Sequence, residues 1–131
     1  MRILIAEDDF ASRKFMLKFL SKFGECDITV DGMEAVDAYL MALDADTPYD
    51  LVCLDIMMPA LDGYQALKAI RDIEQERKIP EDQRAKIIMT TALNEGANVN
   101  KAFDLGCVAY AGKPIDQVKF ESVLRKLKLI D

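Results

Sequence analysis

Residues 51–63 read LVCLDIMMPALDG, and the reading of this stretch decides the fold. Leu51, Val52, Cys53 and Leu54 form an unbroken apolar run, which suits a strand buried on both faces of a parallel sheet. Asp55 arrives where that strand should end. Pro59 has no N–H to give a ladder and Asp62-Gly63 is a turn pair, so the chain is expected to leave the sheet there and restart as a helix near Tyr64. Taken alone, Asp55 is explained equally well as a residue that caps the following turn. The carboxyl edge of the strands in an open α/β sheet, however, is where ligands bind.

Outward from this stretch the same design repeats. Arg2 to Ala6 (RILIA) is strand-like and ends in Glu7, Asp8 and Asp9. Asp9 reads as the N-cap of a helix from Phe10 to Phe23, in which Met16, Phe19, Leu20 and Phe23 recur at helical spacing and after which Gly24 is a stop. Cys26 to Val30 is a weakly marked strand. Asp31-Gly32 turns into a second helix with Ala35, Val36, Tyr39, Leu40 and Leu43 on one side, and Thr47-Pro48 precedes the third strand, Asp50 to Asp55. The third helix runs from Tyr64 towards Arg77, with Leu67, Ile70 and Ile73 inward. Glu74 to Lys86 (EQERKIPEDQRAK), the most charged stretch, reads as a solvated helix end and a loop broken at Pro80.

Ile87 to Thr91 is the fourth strand. Leu93 to Leu105 reads as a helix diluted by Asn94, Asn98, Asn100 and Gly96, and Cys107 to Gly112 as the fifth strand, followed at once by Lys113-Pro114. The last helix spans Asp116 to Leu129 with Phe120, Val123, Leu124 and Leu127 as its buried stripe. Strand and helix alternate throughout, which predicts an α/β fold: a doubly wound, five-stranded parallel sheet with helices on both faces and right-handed crossovers.

A chain of 131 residues, 51% hydrophobic, suits one globular domain with a core, and a single domain over 1–131 with no output domain is expected. The net charge of −6 argues against a nucleic-acid surface. Lys119, Arg125, Lys126 and Lys128 gather in the last helix, where a solvated face explains them. The three cysteines, Cys26, Cys53 and Cys107, read as small buried hydrophobes of a reducing compartment. With no histidine and no CxxC pair, zinc sites, histidine bases and Ser-His or Cys-His nucleophiles are excluded. The N-terminal apolar run is too short for a signal peptide and no run reaches membrane-spanning length, so a cytoplasmic location is expected.

The strand ends bring together Glu7 and Asp8, Asp55, Thr91 and Lys113. Clustered carboxylates repel unless a cation or a proton relieves them. An oxygen-only donor set selects a hard cation, and Mg²⁺ suits it because that ion takes one or two carboxylates, waters and a phosphate. A phosphoryl group on Asp55 would share its charge with the metal, the Lys113 ammonium and the Thr91 hydroxyl, which is the positioning and neutralisation that phosphoryl transfer requires.

In combination these residues resemble the response-regulator receiver domains, the CheY-like family of two-component signalling. The resemblance covers essentially the whole chain: the acidic pair Glu7-Asp8, Asp55 followed by Met57-Met58-Pro59 and Asp62-Gly63, Thr91-Ala92, and Lys113-Pro114, with Asp31-Gly32, Glu34-Ala35 and Leu105-Gly106 also in pattern. It implies a flavodoxin-like strand order 2-1-3-4-5. Asp55 is then the phosphoacceptor, Asp8 a direct Mg²⁺ ligand, Glu7 a ligand through water and the backbone carbonyl of Met57 a further ligand. Thr91 and Lys113 would hold phosphoryl oxygens, the Lys113–Pro114 bond would be cis, and Thr91 and Tyr110 would form the switch.

The implied partners are a histidine kinase or phosphotransfer protein upstream and a protein target on the face of the fourth helix, fifth strand and fifth helix, with neither nucleic acid nor membrane. A phosphorylation-dependent dimer is compatible with the family. No enzyme activity is expected beyond self-phosphorylation and self-dephosphorylation. Met57 and Leu93, two residues beyond Asp55 and Thr91, are apolar and unable to orient a water, so self-dephosphorylation is expected to be slow. Glu7 departs from the commoner aspartate, and Gly112 from a larger apolar residue, which leaves the fifth strand locally looser. A pseudo-receiver that only scaffolds, and a phosphatase of the haloacid dehalogenase type, are the alternatives; the latter wants an acid where Met57 stands.

Overall fold

The computed structural model describes residues 1–92 and 99–131. Its elements are β1 (Arg2–Ala6), α1 (Phe10–Leu20), β2 (Glu25–Thr29), α2 (Gly32–Asp44), β3 (Leu51–Asp55), α3 (Gly63–Glu76), a 3₁₀ turn at Glu81–Gln83, β4 (Lys86–Ala92), α4 (Val99–Asp104), β5 (Ala109–Lys113) and α5 (Gln117–Lys126). The five strands are parallel in the order β2-β1-β3-β4-β5, as expected.

Because strand side chains alternate between faces, β1, β3, β4 and β5 each feed two cores. Leu4, Val52, Leu54, Ile87 and Met89 pack against Tyr39, Leu67, Ile70 and Ala102 on the face covered by α2, α3 and α4. Ile3, Ile5, Leu51, Cys53 and Ile88 pack against Met16, Phe19, Leu20, Phe120 and Leu124 on the face covered by α1 and α5. Edge-to-face stacking of Phe19 on Phe120, with centroids 5.6 Å apart, joins α1 to α5 there. All five residues of β3 are buried, as an apolar run at the centre of a parallel sheet requires.

Aspartates start four of the helices. Asp9, Asp31, Asp62 and Asp116 accept hydrogen bonds from the backbone N–H groups of Ser12, Glu34, Gln65 and Lys119, and Gln65 returns the bond to Asp62 as a capping box. The helix ends explain where the expected boundaries fail. Gly106 at φ 107 follows α4, with Gly106 N–H donating to Phe103 O and Cys107 N–H to Ala102 O. This is the Schellman arrangement, so Cys107 belongs to a helix cap and β5 starts at Ala109, not at Cys107. The same cap at Lys128, φ 61, ends α5 at Lys126 instead of Leu129. β2 lies one residue earlier than expected, and β4 extends one residue further at each end. Of the helix expected over Leu93 to Leu105, the first six positions lie outside the described residues.

Lys78 repeats the left-handed cap after α3, at φ 55, with the Ile79 N–H donating to Glu74 O. A side chain at a left-handed position costs about 1 kcal/mol that glycine avoids. Lys78→Gly and Lys128→Gly should therefore each raise the unfolding free energy by about 0.5–1 kcal/mol in urea titrations, a gain opposite in sign to glycine inside a helix.

The reading of Glu74 as part of a solvated stretch is corrected. Glu74 is fully buried. Its carboxylate accepts hydrogen bonds from the Tyr39 hydroxyl at 2.5 Å and the Ala85 N–H at 2.9 Å, and pairs with Arg71 at 2.6 Å. Arg71 also donates to the carbonyls of Ala85 and Gly106, so one ion pair ties α3 to α2, to the approach of β4 and to the cap of α4. Helical spacing puts Glu74 four residues after Ile70, on the inward stripe, and charge alone hid this.

Candidate functional site

The carboxyl edge of the sheet gathers the acids. Continuing the alternation of β1, β3, β4 and β5 puts Glu7, Asp55, Thr90 and Lys113 on the α1/α5 side, and Thr91 and Tyr110 on the α2–α4 side. Glu7, Asp8 and Asp55 offer carboxylate oxygens that all lie within 4.8 Å of one another. Glu7 and Asp55 are buried while Asp8 is exposed. The Lys113 ammonium hydrogen-bonds the Glu7 carboxylate and lies 3.3 Å from Asp55 Oδ1.

Burial pushes the Asp55 carboxyl up to about 8, helped by a hydrogen bond and charge repulsion from Glu7, with Lys113 pulling the other way. Burial alone would lower the Lys113 ammonium, but its bonds to Glu7 and Asp55 outweigh this and raise it. One ammonium among three carboxylates leaves the cluster short of positive charge. An all-oxygen donor set of this kind, with a carboxyl already unwilling to ionise, fits a hard divalent cation. Asp9 stands apart as a cap: the Ser12 N–H holds its carboxyl below the usual range.

Local sequence fixes these positions. Gly63 begins α3 directly beneath the site, where a Cβ would come within 2.5 Å of the Asp55 carbonyl oxygen. Gly32 likewise admits the carbonyl of Leu61. Asp55 pairs in register with Thr90, and the Ile56 N–H donates to Thr90 O at 3.0 Å. The Lys113–Pro114 peptide is cis, as the resemblance implies.

Asp55, Glu7, Asp8 and Lys113 are thus brought together as expected. Thr91 is buried at the end of β4, with its hydroxyl donating to the Ala92 carbonyl at 3.2 Å. Tyr110 packs against the α2–α4 core, with its hydroxyl buried beside Tyr64 and Thr91. Burial raises its ionisation, with the neighbouring Tyr64 adding to this. The Met57 side chain projects into solvent, 55% exposed. Leu93 lies outside the described residues.

Sequence reading missed Thr90. It is buried, stands beside Asp55 in register, and lines a cavity of about 250 Å³ together with Glu7, Ser12, Phe15, Lys113 and Ile115. No signal in the sequence could have found it, because the side Thr90 shares with Asp55 follows from the pairing of β4 with β3. None of the helices among the described residues is long and apolar enough to cross a membrane.

The response regulator receiver domain, as a family, matches residues 3–125. Among curated relatives, two-component response regulator 24 of Arabidopsis thaliana is 32% identical over 125 residues, covering 95% of this chain and 81% of that protein. The chain spans 55% of a probable transcriptional regulator of Porphyra purpurea and 12% of a probable histidine kinase of Oryza sativa. Among solved structures, a CheX–CheY complex with BeF3 and Mg²⁺ from Borrelia burgdorferi aligns with a TM-score of 0.79 at 28% identity, covering 97% of this chain and 89% of that one. The receiver domain of Ssk1 from Saccharomyces cerevisiae, crystallised with the histidine phosphotransfer protein Ypd1, aligns with a TM-score of 0.79 at 26% identity, covering 96% and 87%. With strand order, acid cluster and lysine in the same places as the sequence pattern requires, this chain belongs to the response regulator receiver domain family.

Proposed function

We propose that Asp55 accepts a phosphoryl group from a phosphohistidine on a histidine kinase or phosphotransfer protein, with Mg²⁺ held by Glu7, Asp8, Asp55 and the backbone carbonyl of Met57. The convergence of the Glu7 and Asp8 carboxylates and of Lys113 on buried Asp55 carries this reading. Bound there, Mg²⁺ supplies charge neutralisation for the phosphoryl oxygens. An Asp55 carboxylate oxygen attacks phosphorus, the P–N bond to the imidazole breaks, and the imidazole leaves with its electron pair. Lys113 then turns from carboxylate to phosphoryl oxygen, and the Thr91 hydroxyl exchanges the Ala92 carbonyl for another.

Tyr110 is the group positioned to follow Thr91, since both belong to the same side of the sheet and Thr91 already acts on the Tyr110 hydroxyl. The readout surface on this reading is the face of α4, β5 and α5. Phe103 and Val118 are exposed on α4 and α5 of that face, ready for a protein target. Incubation with acetyl phosphate and Mg²⁺ should add one phosphoryl group to the wild-type chain by intact mass and none to Asp55→Asn. Labelling of the variant with the same stoichiometry would refute the assignment. Capture of a partner with and without beryllofluoride would then identify the target.

A further inference from the structure

The carboxylates of the cluster are not equally supported. Lys113 holds both Glu7 and Asp55, whereas Asp8 is exposed, and among the described residues no side chain bonds its carboxylate. The direction of the Asp8 side chain therefore depends on its backbone. That backbone lies past the end of β1: the Glu7 N–H still donates to Thr29 O at 3.1 Å, but beyond it the ladder stops. The next two carbonyls, those of Glu7 and Asp8, accept from a side chain instead.

That side chain is Arg13. From the first turn of α1 its Nη1 reaches back to the carbonyl oxygens of Glu7 at 3.1 Å and Asp8 at 3.2 Å. The arginine is itself held, because its own N–H donates to Asp9 O at 2.9 Å, Asp9 caps the same turn through Ser12, and the guanidinium lies over the Phe10 ring at 5.6 Å. Cap, ring and guanidinium form one brace around the peptide that carries Asp8.

We infer that Arg13 is a positioning residue for the metal site: by gripping the Glu7 and Asp8 carbonyls it aims Asp8 at the space shared with Asp55. This rests on the reading of the cluster as a Mg²⁺ site. Partners that orient metal ligands from outside the coordination shell typically change metal affinity by 10- to 100-fold when removed. The opposite outcome has an equally definite cause. Removing a cation near a cation site should tighten binding if charge is all that Arg13 contributes. The sign of the change separates the two.

Mg²⁺ titrations of the full chain, followed by amide NMR shifts at residues 7, 8 and 55, test this with Arg13→Ala, Arg13→Lys, Lys14→Ala and Asp55→Asn. Lys14→Ala removes the same charge from the exposed neighbouring position and controls for it. Arg13→Ala should bind Mg²⁺ about 10-fold more weakly, in a domain whose dispersed spectrum shows it folded. Arg13→Lys, which keeps a donor, should fall between, and Lys14→Ala should match wild type or bind slightly tighter. Arg13→Ala binding as well as or better than wild type would overturn the inference alone. A wild-type chain without saturable shifts, or an Asp55→Asn chain that binds equally well, would overturn the metal-site reading and the inference with it.

Discussion

Replacing Glu74 by alanine is expected to lower the unfolding free energy by about 3–5 kcal/mol, the range found when one partner of a buried ion pair is removed. The mutation does three things at once. It leaves the largely buried Arg71 guanidinium without its carboxylate, orphans the Tyr39 hydroxyl, and orphans the Ala85 N–H. The last two groups sit at buried positions, so water does not replace the lost acceptor freely. The carboxylate is already felt at Tyr39, whose phenol is raised by burial and by its bond to Glu74. Glu74→Gln keeps the shape and an acceptor oxygen and should lose less, roughly half as much. Glu76→Ala, two residues on and exposed, should stay within about 0.5 kcal/mol. Urea denaturation of the three variants measures this, and a Glu74→Ala chain as stable as Glu76→Ala would show that the pair contributes nothing.

Asp55→Asn should act in the other direction on the metal-free protein, raising its stability above pH 7 by about 1–3 kcal/mol. An aspartate whose carboxyl is pushed up to about 8 in the folded chain and is ordinary in the unfolded one favours unfolding once it ionises. In that window the unfolded chain holds fewer protons than the folded one. The Asp55 contribution to stability is accordingly undiminished below about pH 4 and falls steadily as pH rises towards about 8. Asparagine removes the slope while keeping an oxygen for Lys113. Saturating Mg²⁺ should reverse the ranking, since it stabilises a folded chain that binds it and does little for the variant. Melting temperatures of each chain at pH 5 and pH 8, with and without Mg²⁺, give the values needed. Parallel pH profiles for the two chains would contradict the account.

The layout of the fold was legible because burial in a parallel sheet leaves continuous apolar runs. Leu51 to Leu54 and Ile87 to Met89 could hardly be anything else, and Met16, Phe19 and Leu20 mark one helical stripe. The aspartate caps were readable for the same local reason, as a short acceptor placed before a helix. Helix ends were less so. Three left-handed cap positions after α2, α3 and α5 carry Asp46, Lys78 and Lys128, where a glycine would have announced the turn. Glu74 was misread because composition weighs a charge without asking which side of the helix it occupies. At the site, the reactive cluster was visible as strand-end chemistry, whereas Thr90 and the Arg13 brace needed register and backbone geometry that no pattern of letters prints.

The sheet acts as a partition between two cores. Asp55 opens into one and Tyr110 into the other, and the adjacent pair Thr90 and Thr91 straddles the wall between them. Twisting that single dipeptide would be felt in both cores together. On the proposed reading, a phosphoryl group on one side would therefore be registered at Tyr110 on the other through one peptide unit of the wall itself.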